Sequence, residues 1–505
     1  MTEKILFWLD GALTNYCMAF YLQKKIDSDF FAIVDSYDKP KTFFKNQKLI
    51  NFKKTWFYHD FFQNIDKKPD LKYLSDFEKK YEINLWELAI NERIFYRFNR
   101  VYKFSHDEIL SILEHECKLF DEILTTINPD FLVMHEPTLH QHELLYRMCQ
   151  KTTTKTLLLN QPNISRSIIS SKPRHLDLDI KLDQISASNR NFKELRDFRK
   201  SFSNYESIQN FRYKFKISKS ELIKSTIKFL SSKNSHIETH YTHRGRTKLQ
   251  VLKDEIKSKL KRKFRTSFIN KNLESKIQFD EKFVYFPLAV DEERNLLLAA
   301  PFYTNQLETI RNIAKSLPMG YKLYVKENPA QSIRYWRSIS EYREIMNIPN
   351  VRLFHPSFST EKIFEKCSLV ITIGGSSGLD AAFYGKPSII FVDLGYSVLP
   401  SVSKLNSIDE LPTLIVNSLQ TKVNSEDLDK YITFLHENSF DFNVMDFENK
   451  YNEFFYHDGH YLDVDISKSK MEKFLEQNKT ILEKLAYEYE KKINEENTLS
   501  QKNLT

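Results

Sequence analysis

The chain has 505 residues, with 75 basic and 67 acidic side chains and only nine glycines. That length is too great for one ordinary core and predicts several α/β units, while the small net charge makes distribution more informative than the total. Cys17, Cys117, Cys149 and Cys367 are scattered with no C-x-x-C pair and no even framework, which fits a reducing compartment and argues against a cysteine metal site, and no apolar run approaches the ~20 residues that span a bilayer.

The first run, residues 4–9, reads as a strand rather than a signal peptide, because Asp10 interrupts it and no small-residue cleavage site follows. A turn at Gly11, a helix over 13–25 and a strand over 29–34 complete a βαβ start. Residues 37–69 are aromatic, lysine-rich and unassigned, while 70–98 and 106–127 carry helical spacing. A second βαβ unit follows with strands at 131–134 and 156–159 around a helix at 139–149. Between its elements stands His135-Glu136-Pro137-Thr138-Leu139-His140-Gln141-His142, at the carboxyl end of a strand, where open α/β sheets place their sites. Either a catalytic group or a capped helix start fits this stretch. The H-x-H spacing puts His140 and His142 on different helix faces, so it does not read as a zinc site.

Residues 163–280 read as a helical, basic insertion and linker. At its end Arg244, Arg246, Lys248, Lys253, Lys257, Lys259, Lys261, Arg262, Lys263 and Arg265 surround Leu252, Ile256, Leu260 and Phe264, spaced four apart. That is the pattern of a helix lying on an anionic membrane surface, and equally of a solvated linker helix packed on a lobe. Nucleic acid is not expected as a partner, since no reader motif accompanies the cations.

Strands at 283–287, 322–326, 351–354, 369–373 and 388–392 then alternate with helices, the rhythm of a parallel, doubly wound sheet. Five of the nine glycines fall in the stretch SLVITIGGSSGLDAAFYGKPSIIFVDLGY, where a buried strand runs into Gly374-Gly375-Ser376-Ser377-Gly378 and a new helix. Such a turn brings backbone N–H groups and serine hydroxyls close to a phosphate; a plain tight turn is the alternative. The spacing matches neither a Walker loop nor a dinucleotide fingerprint.

The layout is therefore α/β and GT-B-like: an N-terminal Rossmann-like acceptor lobe (1–162), the insertion (163–280), a nucleotide-sugar-binding lobe (281–424) and a helical tail (425–505) that crosses back to the first lobe and frays over its last dozen residues. At the second lobe's edge, Lys326, His355, Gly375, Ser376, Ser377 and Gly378 are the candidates for donor phosphates, with Glu327 or Asp380 for the ribose. Proton transfer falls to His135, Glu136 or Asp10 of the first lobe.

The ordered segments FVYFPLAVDEERNLL, Tyr303-Thr304-Asn305-Gln306, YKLYVKENPA, IPNVRLFHP and VITIGGSSGLDAAFYGKPSIIF resemble the capsule polysaccharide biosynthesis family over roughly residues 280–400. The resemblance implies a GT-B transferase, moving sugar from a nucleotide-activated donor, often a CMP-sugar such as CMP-Kdo, to a surface glycan or glycolipid at the cytoplasmic membrane face. No cofactor is expected beyond the donor, and no D-x-D-type motif calls for a metal. Where the family commonly has Lys-Glu-His-Pro, this chain has Lys326-Glu327-Asn328-Pro329, and a Pro-Leu-His is here Pro287-Leu288-Ala289. Both lost histidines bear on the rivals, which are a CDP-polyol phosphotransferase of the same fold and a catalytically degenerate scaffold subunit.

Overall fold

A computed structural model describes residues 2–504 except 37, 63–64, 66–67, 163–165, 179, most of 202–240, 277–280, 335 and 457–463. Its frame is a pair of six-stranded sheets. The first contains β1 (Glu3–Asp10), β2 (Ser28–Asp35), β3 (Phe52–Phe57), β4 (Phe131–His135), β5 (Lys155–Asn160) and β6 (Ile168–Ser170), in the order β3-β2-β1-β4-β5-β6. The second contains β7 (Lys282–Pro287), β8 (Tyr321–Lys326), β9 (Val351–Phe354), β10 (Leu369–Thr372), β11 (Ser388–Ile390) and β12 (Val402–Lys404), in the order β12-β11-β10-β7-β8-β9. All pairings are parallel except β5 with β6.

Each lobe thus has the doubly wound order, with the direction of winding reversing between its first and fourth strands. The crevice outside the carboxyl ends at that reversal is where such sheets bind ligands. In the first lobe it lies between β1 and β4, and in the second between β7 and β10.

Alternation along the strands builds the cores. Ile5, Phe7 and Leu9 face one layer, while Leu6 and Trp8 face the layer containing the helix His106–Ile127. That helix starts at a capping box in which Ser105 and Glu108 satisfy each other's backbone N–H groups, and it stops at Asn128, which is left-handed (φ 42°).

The C-terminal helices cross to the first lobe. Leu482, Leu485, Ala486, Tyr489 and Ile493 of the helix Lys479–Leu504 join the layer built on Leu13, Tyr16 and Cys17, and each buried leucine or isoleucine among them contributes about 1.5–3 kcal/mol. The expected frayed end is instead helical to Leu504: Lys155 Nζ donates to the Glu496 carbonyl (2.6 Å), and Asn497 bonds Glu3. Two Rossmann-like lobes with returning C-terminal helices constitute a GT-B-like fold.

Residues 176–201 do not form a free linker. Leu176, Leu182, Phe192, Leu195 and Phe198 pack with Leu379 and Phe383 of the second lobe and with Leu428 at the start of the tail. The helix Lys248–Asn272 spans the outside of both lobes. Arg100 donates to Ser258 (3.0 Å) from the first lobe, and Trp336 donates to Thr266 (2.8 Å) from the second.

Candidate functional site

Asp10 ends β1 and His135 ends β4, so the strand order alone sets them side by side at the reversal point. Their side chains meet, His135 Nε2 to Asp10 Oδ2 at 2.8 Å. The other Asp10 oxygen accepts from Ala12 N–H (2.8 Å), which fixes the carboxylate. Burial alone lowers the His135 pKa, but the adjacent Asp10 charge outweighs it, and the imidazole sits above its ordinary value. Glu448, from the returning helix Val444–Phe455, adds to that effect, and burial raises its own carboxyl.

The next strand continues the row. Asp35 ends β2 in register with Asp10 and binds His59 Nε2 (2.9 Å), with His142 Nε2 at 3.7 Å. Burial opposes its ionisation, yet the two histidines hold it well below the usual carboxylate range. Behind this edge, His140 is closed between Glu92 (2.8 Å) and Glu116 (2.9 Å), and these two charges override burial to bring the imidazole to about 10. His140 and His142 therefore serve separate carboxylates. Among the described residues no group of three or more His, Cys, Asp or Glu is placed to hold a metal.

The second lobe presents different chemistry at the equivalent place. The Gly375 N–H donates to Thr372 Oγ1 (3.2 Å), and Tyr396 donates its hydroxyl to the Gly375 carbonyl. A Cβ on Gly378 would stand 2.7 Å from that Tyr396 oxygen, so glycine there is a packing requirement. Ser376 is exposed at the turn, and Ser377 begins the helix Ser377–Ala382.

Lys326, at the end of β8, is 6% exposed. It donates to Thr360 Oγ1 (2.6 Å) and faces no carboxylate within ion-pair distance among the described residues, and burial lowers its pKa to about 8. A desolvated cation held by one hydroxyl is a receptor for an anion.

The other second-lobe candidates are engaged by the fold itself. Glu327, fully buried, accepts from Arg337 Nε (3.0 Å), the Tyr342 hydroxyl (2.6 Å) and the Asn328 N–H (2.7 Å). Arg337 also binds Asp291 and the Ala289 carbonyl, and Gln306 clasps both the N–H and the carbonyl of Ala289. This network holds the loop after β7 and keeps Glu327 fully buried, out of reach of a ribose. Asn328 caps the turn that follows, accepting from Ala330 N–H (2.9 Å). His355 Nδ1 accepts from Ser357 N–H (3.1 Å), so its Nε2–H donates to Asn270 Oδ1 (3.1 Å), and burial lowers its pKa. Asp380 is paired with Arg199 from the helix Phe192–Ser201.

The lobes meet through arginines that sequence reasoning missed. Glu136 receives Arg294 Nη1 (3.0 Å) and Arg174 Nε (3.5 Å), and Arg174 Nη1 donates to the Gly374 carbonyl (3.0 Å). His135, through its neighbour Glu136, is thereby two side chains from the Gly/Ser turn. Arg174 is left-handed (φ 59°), and its carbonyl accepts the Gly395 N–H (3.1 Å), where a Cβ would come within 2.8 Å. A strained non-glycine backbone wedged between the lobes is the kind of outlier that marks a functional position. Nothing in the sequence around Arg174 signals it. Arg294 and the half-buried Glu293, whose carboxylate has no partner among the described residues and is raised by burial, lie within the family-like segment after β7.

Residues 184–399 match the model of a family described as capsule polysaccharide biosynthesis protein. The resemblance to that family therefore holds over this span, and it begins about a hundred residues earlier than the motifs suggested. No curated protein matches the chain. Among solved structures, KpsC from Thermosulfurimonas dismutans, a beta Kdo 2,7 transferase, is similar at 12% identity and TM-score 0.28, covering 70% of this chain and 98% of its own. The UDP-GlcNAc 2-epimerase of Methanocaldococcus jannaschii, in complex with UDP-GlcNAc and UDP, is similar at 12% identity and TM-score 0.24, covering 86% and 100%. The fold assignment rests on strand order and the returning helices.

Proposed function

We propose, from the premise that residues 184–399 are a capsule polysaccharide biosynthesis segment, that the protein is a glycosyltransferase. Its donor is a nucleotide-activated sugar, with a CMP-sugar of the Kdo type favoured by the resemblance. Its acceptor is a capsule-like polysaccharide or glycolipid. The observation that carries this reading is the meeting of the two edges: an Asp–His pair on one lobe, and on the other a Gly/Ser turn and a lysine with no acidic partner among the described residues, joined through Glu136, Arg174 and Gly374.

In this reading His135 takes the proton of the attacking acceptor hydroxyl, and Asp10 stabilises the imidazolium that forms. Lys326, Ser376, Ser377 and the N–H groups around Gly375 and Gly378 receive the donor phosphate, with Arg174 and Arg294 neutralising the leaving group without a metal. Glu136 holds those arginines across the cleft, and Glu293 takes the ribose role that Glu327 and Asp380 do not fill. Nucleotide release from CMP-, CDP-, UDP- and GDP-sugars tests it. The expected result is that one donor is turned over and that His135→Ala stops turnover while nucleotide binding persists. No release from any donor would move the scaffold reading ahead.

The same reading places the protein on an anionic membrane surface. In the helix Lys248–Asn272, Ile256, Leu260 and Phe264 are 62%, 55% and 70% exposed, with Lys257, Lys259, Lys261 and Lys263 interleaved and exposed as well. Apolar side chains flanked by lysines complement lipid headgroups over an acyl boundary. No helix among the described residues is long and apolar enough to cross a membrane.

A further inference from the structure

A cavity of about 420 Å³ opens between the lobes, on the β8 side of β7, whereas the Gly/Ser turn lies on the β10 side. Three parts of the chain line it: the first lobe's loop at 93–101, the start of the long basic helix, and the second-lobe loops at 292 and 333–334. Its charged groups are Arg93, Arg100, Arg246 and Arg334 against Asp254 and Glu292, a surplus of two cations.

The acids do not balance the deepest of these arginines. Glu292 is paired with Arg334 (3.1 Å), and Arg93 Nε reaches only its backbone carbonyl (2.7 Å). The neighbouring Glu92 is committed to His140, accepting both its N–H and its ring nitrogen. Arg93 is therefore a half-buried guanidinium with no carboxylate partner among the described residues, and Arg246 makes no side-chain ion pair there either. Burial, the largest cause, and the nearby Arg334 charge disfavour the Arg93 cation, while the more distant charges of Glu92, Glu292 and Glu293 offset part of that cost without pairing with it. Unpaired guanidinium forks over an open cavity of small-molecule size suit planar carboxylates and phosphates, while Ile94, Phe98 and Val101 supply an apolar wall.

We infer that this cavity is a second anion site, which holds an acid-bearing sugar of the acceptor glycan while the donor occupies the β10 side. The inference rests on the transferase reading for the word acceptor, and on the geometry alone for the anion. The acid could equally be a donor phosphate, so the test separates the two sources.

Titration calorimetry of the full chain with tetragalacturonate, neutral maltotetraose, inorganic pyrophosphate and CMP makes that separation, using wild type, Arg93→Gln and Arg246→Gln. Arg246→Gln removes an exposed side chain and keeps the test valid if Arg93→Gln loosens the lobes. The expected result is uronate binding that weakens with salt and falls at least tenfold in each variant, with no maltotetraose binding. Uronate binding that is absent, or unchanged in Arg246→Gln and in a folded Arg93→Gln, would overturn the inference. So would variants that lose pyrophosphate and CMP binding instead, since the cavity would then belong to the donor. Uronate binding lost in the variants supports the cavity even where no nucleotide binds, an outcome that sinks the transferase reading alone.

Discussion

The two lobes share one strand order, yet their carboxyl edges do opposite work. The first lobe's edge carries Asp10, Asp35, His59, His135 and His142, groups that hold and move protons. The second lobe's edge carries glycines, serines and a lysine with no acidic partner among the described residues, groups whose chemistry suits an anion. Behind each edge lies a closed ionic network, Glu92–His140–Glu116 in one and Glu327–Arg337–Asp291 in the other. In the transferase reading proposed above, one scaffold thus separates acid–base chemistry from phosphate binding, and the reaction becomes available only where the edges face each other.

The sharpest break in that comparison is at the dyad. His135→Ala should lower turnover by about 10²–10⁴-fold, the usual worth of a positioned proton acceptor. Asp10→Asn should act more subtly. Asp10 raises the His135 pKa, and a base must be neutral, so wild-type activity rises with pH through a value above the ordinary imidazole range. Removing the charge lowers that pKa and moves the acid limb of kcat/KM to lower pH. A limb that stays in place in Asp10→Asn would show that His135 is not the base.

The inner networks come next. Arg337→Met strands Glu327 and Asp291 in the core and should cost about 3–5 kcal/mol by denaturant unfolding. A loss under about 1 kcal/mol would return Glu327 to the list of ribose ligands. The smallest effect is expected at the basic helix, where each lysine near an anionic surface contributes about 1 kcal/mol. Replacing Lys257, Lys259, Lys261 and Lys263 by glutamine should release the protein from phosphatidylserine vesicles in flotation. Retention would mean that this helix does not carry membrane binding.

Much of the fold was legible, because buried parallel strands announce themselves as short apolar runs and Asp10, His135 and Lys326 each end one. Their partners were not. The Asp10–His135 pairing depends on β1 lying beside β4, a fact of topology, and Arg174 enters the cleft from an insertion with no periodic pattern. Lysine-rich β3 and three-residue β6 and β12 escaped notice as edge or near-edge strands, which natural sheets keep short or charged. The Lys/Glu/Asn-rich C-terminus looked unable to pack, yet Ile493 and Asn497 anchor it. Glu327 misled in the other direction: a carboxylate at a strand end looks like a ligand until Arg337, distant by ten residues, is seen to occupy it.

The central claim is that the second lobe's edge binds the donor nucleotide, and Lys326 offers the most direct measurement. Burial holds its pKa near 8, so carrying the charge at neutral pH costs the unliganded protein about 1–3 kcal/mol, a penalty that fades as pH rises through 8 toward the unfolded value. Thermal unfolding of wild type and Lys326→Met with CMP, CDP, UDP and GDP reads both halves of the claim. The account predicts that one nucleotide at about 100 times its Kd stabilises wild type by about 2.7 kcal/mol. It also predicts that Lys326→Met raises the unliganded Tm and abolishes that response. Equal responses in the two proteins, or none in wild type, would contradict it.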